Sequence, residues 1–314
     1  MFKQIFVAVG IAIIIAAYAT AATLPAGATT VRSIAVEGNG RIWVATFGNG
    51  LWVVDETGPR RFTDSKTDQP FPMINNLLLS GNRLFIATAG GGCVALNTTT
   101  LQFEKITQAR GFEKLHALTR AADGSIYIGS VGSGSAVLQN DAWQPLTQKE
   151  SSQLSWVNSI VEWQGYLWLG TATGLYRNKS GSPWKPSAGE LRRAINCLHV
   201  HENTLYAGTT DRGVYAIKPD DYPVQVSQTL GPINFLTSYD GQVLAGGNMG
   251  LWSIKNAQAS EITSGIVDPK CVFADDKKNL LIGTLDGKIY VSNDGTLFRL
   301  KLTFKENGLE EHKP

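Results

Sequence analysis

The sequence predicts an all-β fold, a seven-bladed β-propeller of four-stranded antiparallel blades. Three observations predict it. First, a pair of short apolar strands joined by tight glycine turns, seen in Ala35–Asp55 (AVEGNGRIWVATFGNGLWVVD), recurs along the chain. The further copies are Arg83–Leu96, Ser125–Leu138, Tyr166–Tyr176, Thr204–Ile217, Gln242–Ile254 and Asn279–Val291. Their period of roughly 37–42 residues lies in the range of stacked or radial repeats. Second, each copy is preceded by another apolar run and followed by a more polar one, which makes four strands per unit. Third, charged residues make up 17% of the 314 residues and there are 33 glycines. That is below the charge of an average globular chain and suits short strands with many tight turns.

In chain order, Met1–Gln4 holds one lysine and Ile5–Ala17 is an apolar run. Ala19-Thr20-Ala21 follows as a small-x-small cleavage site, so residues 1–21 read as a signal peptide. The alternative is an uncleaved anchor, since Ile5–Ala22 approaches the ~20 residues that span a bilayer. The expected location is the periplasm of a bacterium or the medium outside it. Residues 22–304 form one domain and 305–314 (KENGLEEHKP) a frayed polar tail.

The first strand of each unit is VRSIAV at Val31, INNLLL at Ile74, LHALTR at Leu115, VNSIVE at Val157, INCLHV at Ile195, INFLTS at Ile233 and PKCVFA at Pro269. A turn rich in Gly, Asn and Asp leads into the second strand, as at Asp123-Gly124 and Asp240-Gly241. Aromatic residues recur on the second strand (Trp43, Phe85, Tyr127, Trp168, Tyr206) and the third (Trp52, Tyr176, Tyr215, Trp252, Tyr290). They read as packing between blades, because a lone four-stranded blade cannot bury both of its faces. A small residue follows at Ala45, Ala87, Gly129, Gly170, Gly208, Gly246 and Gly283, where neighbouring blades approach closely. Polar fourth segments such as Arg60–Thr63, Phe103–Thr107, Trp143–Thr147 and Phe298–Thr303 close the units.

The phrase shared by GRIWVATFGNGLWVVD and GYLWLGTATGLYRN resembles the two-component regulator propeller repeats, from Val31 to about Thr303. Those repeats form sensor propellers in exported parts of bacterial signalling proteins, and the resemblance implies a propeller with a recognition role. The pattern weakens at Ser135-Ala136 and at Lys288-Ile289, and the chain carries no kinase sequence.

A formal net charge of +2 gives no field that selects nucleic acid. The three cysteines, Cys93, Cys197 and Cys271, lie within strand patterns and read as buried thiols. There is no nucleophile elbow, P-loop or dinucleotide fingerprint in the required setting. Ser292–Phe298 (SNDGTLF) partly resembles the Asp-box of sialidase-like propellers, with altered glycine spacing.

The most informative polar position falls near the start of each first strand. Arg32, Asn75, His116, Asn158, Asn196 and Asn234 occupy it, with Pro269 in the last copy. Ring closure would gather these side chains at one mouth of the central channel, flanked by loops carrying Asn49, Asp211, Arg212, Asn248 and Asp286. Such groups can orient a polar ligand or a partner's loop; alternatively each Asn satisfies turn backbone groups through its own side chain. The expectation is an exported, monomeric, non-catalytic module binding a small polar ligand or a protein partner in the envelope, with no cofactor. The runner-up is a metal-dependent propeller lyase or hydrolase, for which His199, His201 and Glu202 are weak candidate ligands.

Overall fold

In the computed structural model the described residues are 29–62, 73–146, 152–179, 182–187, 191–219, 222–227, 231–262, 264–305 and 308–312. The expected signal peptide, residues 1–21, lies outside them. Among the described residues no helix is long and apolar enough to cross a membrane.

The strands form seven separate antiparallel sheets, each in simple sequence order, and neighbouring sheets stand around a ring. The innermost strands are Thr30–Val36, Ile74–Ser80, Leu115–Arg120, Val157–Trp163, Ile195–His201, Ile233–Tyr239 and Pro269–Ala274. Each packs against the innermost strand of the next blade, and the last packs against the first. This is the seven-bladed β-propeller that the repeat predicts.

The apolar residues do not form one central core. They form clusters between blades, as expected when both faces of every sheet must be covered. Trp43, Leu51, Ile74 and Leu84 join blades 1 and 2; Trp168, Leu175, Ile195 and Leu205 join blades 4 and 5. The second-strand aromatics sit inside these layers: Trp43, Phe85 and Trp168 are buried. The small residues allow the close approach expected of them. A Cβ on Gly208 would stand 2.5 Å from Cys197 Sγ and 2.7 Å from Ile233 of the next blade. On Gly283 it would stand 2.4 Å from Val31, across the seam between blades 7 and 1.

All three cysteines are free and buried. Burial pushes the Cys93 and Cys271 thiols up to about 12, so they behave as small apolar side chains.

Among the described residues, blade 1 borrows no strand from the other end of the chain. Blade 1 is built entirely from Thr30–Val36, Ile42–Phe47, Leu51–Asp55 and Gly58–Arg61. The seam is held by side-chain layers and by Thr30 Oγ1 donating to Leu285 O at 3.2 Å. The Cys271 thiol also donates to Val31 O, at 3.7 Å.

One expectation is corrected. The tail is not frayed throughout: Gly308–Glu311 pairs with Arg299–Lys305 as a fifth strand on blade 7. His312 continues the pairing through its N–H to Lys301 O at 2.7 Å. This fifth strand lies beside the outer strand of blade 1. A polar edge strand reads like a tail because exposed edges favour charged residues.

Candidate functional site

The ring of polar residues has a specific backbone origin. Each innermost strand carries a register irregularity near its start, at the third residue in blade 1 and the second in the other six, which is left without a partner on the second strand. The skipped residues are Arg32, Asn75, His116, Asn158, Asn196, Asn234 and Lys270. A bulge re-aims a side chain that an ordinary strand would turn toward a neighbouring sheet. The seventh member is thus Lys270, not Pro269. Pro269 pairs with Thr284 in ordinary register, and the apolar signal of PKCVFA is too weak to show the offset by itself.

Four of the seven are asparagines tying one blade to the next. Asn75 Nδ2 donates to Leu115 O at 2.8 Å, Asn158 to Ile195 O at 2.9 Å and Asn196 to Ile233 O at 2.9 Å. Asn234 Nδ2 donates to Pro269 O at 2.7 Å. In every case the acceptor is the carbonyl just before the next ring residue. Serines add to the bracing: Ser33 Oγ accepts from Leu77 N and Ser159 Oγ from Leu198 N, both across a blade boundary. So the asparagines are a structural belt as well as channel-mouth residues.

Arg32, His116 and Lys270 are not tied in this way. Arg32 is 6% exposed, its Nε lacks a hydrogen-bond partner, and its guanidinium lies 5.0 Å from the centre of the Phe47 ring. Burial lowers its pKa to about 10. Lys270 is 4% exposed; its Nζ contacts Asp268 Oδ1 at 2.5 Å and donates to Asn248 Oδ1 at 3.1 Å. Burial lowers its pKa too, opposed by Asp268. His116 packs edge-on against Trp156 at 6.3 Å, and both His116 Nδ1 and Trp156 Nε1 lack partners. Burial, then the charge of Arg32, depresses the His116 imidazole to about 4, so it is neutral at pH 7. Arg32 acts on both His116 of blade 3 and Lys270 of blade 7, so its charge is felt across the mouth.

The surrounding loops are pinned. At the end of the second strand Thr46, Thr88, Ser130, Thr171, Thr209 and Thr284 each donate a hydroxyl to a carbonyl a few residues on, closing the loop to the third strand. Asp211 and Arg212 lie on such a loop in blade 5, half exposed on the rim and apart from the buried belt. Asp211 Oδ2 pairs with Arg193 Nη1 at 2.6 Å. A cavity of about 160 Å³, lined by Gln153, Thr173, Tyr176, Leu191 and Arg192 among others, opens on the same face beside blade 4.

The imidazoles offered as metal ligands share one hydroxyl. His199 Nε2 and His201 Nδ1 contact Ser238 Oγ at 2.7 and 2.8 Å, and Glu202 sits in the following turn at φ 52°. Among the described residues, no three His, Cys, Asp or Glu side chains are grouped to hold a metal ion. SNDGTLF does form an Asp-box-like turn: Asp294 Oδ1 accepts from Thr296 N and Leu297 N, both at 2.8 Å. It braces a hairpin on the far side of blade 7.

No protein-family model matches the chain, and no curated protein matches it. Solved structures do. The extracellular domain of BT4673 from B. thetaiotaomicron superposes with a TM-score of 0.70 at 19% identity, over 86% of this chain and 39% of that one. One structure of that domain assigns it to a one component system and another to a hybrid two component system. Streptogramin B lyase superposes with a TM-score of 0.69 at 12% identity, over 88% of this chain and 96% of the lyase. The computationally designed Ika8 protein gives 0.64 at 15% identity, over 90% of this chain and 95% of that one. These likenesses show the propeller fold. The chain spans about two-fifths of the length of the BT4673 extracellular domain that it matches.

Proposed function

We propose that this chain is an exported recognition module that binds its ligand at the channel mouth marked by the bulged ring, without catalysing a reaction. The observation that carries the reading is the division of labour within that ring. The asparagine amides donate across blade boundaries, while Arg32 and Lys270 bring buried positive charge to the mouth and Arg32 Nε and His116 Nδ1 have no partner. Loops pinned by their own hydroxyls give a preformed rim, which lowers the ordering cost of binding. The belt residues are almost fully buried, so the mouth suits a small polar ligand; a protein partner would engage the rim around it, where Asp211 and Arg212 stand. The similarity to the extracellular domain of a one- or two-component system protein supports the same reading, and export to the periplasm or medium accords with it.

The test is a thermal-shift screen of the chain from Ala22 against sugars, amino acids, organic acids and cell-wall fragments, followed by calorimetry. The expected result is a ligand recovered unchanged after incubation and lost in the K270M variant. A ligand converted to product would instead support the lyase-like alternative. Ligands indifferent to K270M and to D211A/R212A would remove the mouth from the account.

A further inference from the structure

The charges at the mouth do not balance. Arg32 and Lys270 are each more than nine-tenths buried and stand on adjoining innermost strands, where Cys271 Sγ meets Val31 O at 3.7 Å. Among the described residues the carboxylate beside them is Asp268, and it contacts Lys270 Nζ at 2.5 Å. Arg32 has no comparable contact. Its guanidinium is backed by Phe47, and Nε lacks an acceptor. A buried cation without a paired anion is costly to a fold. Other polar atoms of the belt also lack partners, His116 Nδ1, Asn158 Oδ1 and Asn196 Oδ1, as does Trp156 Nε1 beside His116.

We infer that the channel mouth between blades 7 and 1 binds a small oxyanion, a carboxylate or a phosphate, through the Arg32 guanidinium and the Lys270 ammonium. A planar guanidinium accepts an oxyanion with two parallel hydrogen bonds, and an ammonium adds a point charge. Asp268 sets the orientation of Lys270 and, carrying the same sign as the ligand, weakens its binding. The inference rests on the recognition reading and supplies its ligand chemistry.

The experiment is isothermal titration of the chain from Ala22 with inorganic phosphate and, separately, with acetate, both against sodium chloride at matched ionic strength. The wild type should bind at least one of the two beyond the chloride baseline, and the stronger probe distinguishes a phosphate from a carboxylate ligand. R32M should bind that probe at least ~30-fold more weakly, as expected for loss of a buried charge contact. D268N should bind it more tightly, a gain that a purely structural role for these residues would not produce. Binding no better than chloride, or equal binding by R32M and K270M, overturns the inference. Should R32M fail to fold, unchanged or weaker binding by D268N overturns it by itself. A neutral ligand from the screen, lost in K270M, would keep the recognition reading while removing this one.

Discussion

Asn196 shows how a residue can serve the fold where function was expected. Its amide reaches across a blade boundary to Ile233 O, and its Oδ1 has no partner among the described residues. His199 shows the opposite kind of surprise, a titratable group held neutral by packing. It is buried against Ser238, and burial, helped by the nearby His201, depresses its imidazole to about 3. Between pH 6.5 and about 3 the unfolded chain binds the proton more readily than the folded one, so stability is full above 6.5 and falls as pH is lowered through that window. Each pH unit there costs up to ~1.4 kcal/mol for this group. His116, at about 4, adds a second contribution of the same sign. We expect urea midpoints to fall steadily from pH 7 to 4, and the fall to be shallower in H199Q, which keeps a group able to bond Ser238. An identical slope in H199Q would show that other groups govern acid stability.

At the scale of elements, the repeat was readable because packing imposes it letter by letter. A second strand must place an aromatic or branched residue between blades and then a residue with little or no side chain. Gly246 is an instance: an added Cβ would stand 2.2 Å from the Phe235 ring. G246A should lower the melting temperature, with an overpacking cost of ~1–3 kcal/mol. G90A, on a loop with nothing within 4 Å and no positive φ, should leave it unchanged. Equal melting temperatures for the two variants would contradict the close-approach account. The bulges were not readable in the same way, because a skipped hydrogen-bond position leaves no mark on composition or alternation. What the sequence did carry was position. Arg32, Asn75, His116, Asn158, Asn196 and Asn234 are each the second residue of their apolar run, and so is Lys270 in PKCVFA. Strict alignment of that segment points to the lysine. The fifth strand of blade 7 escaped because Leu309 is the one apolar residue in a run of charge, too little for a period to show.

At the scale of the molecule, the ring is a closed series of near-equivalent interfaces with the seam between blades 7 and 1 as its special one. There the covalent chain does not connect neighbours, and there the belt exchanges asparagine for Arg32 and Lys270. A repeat copies structural residues along with functional ones, so departures from the repeat are where function is best sought. The central claim is that stability and recognition are separated around one ring. Paired denaturation and binding measurements on N196A and R32M test it most directly. The account predicts that N196A, which leaves the Ile233 carbonyl without its donor, loses ~1–3 kcal/mol of stability and still binds the mouth ligand. It predicts that R32M, freed of a buried unpaired charge, is as stable as the wild type or more so and binds poorly. An N196A protein that is fully stable but cannot bind, beside a destabilised R32M that binds normally, would contradict it.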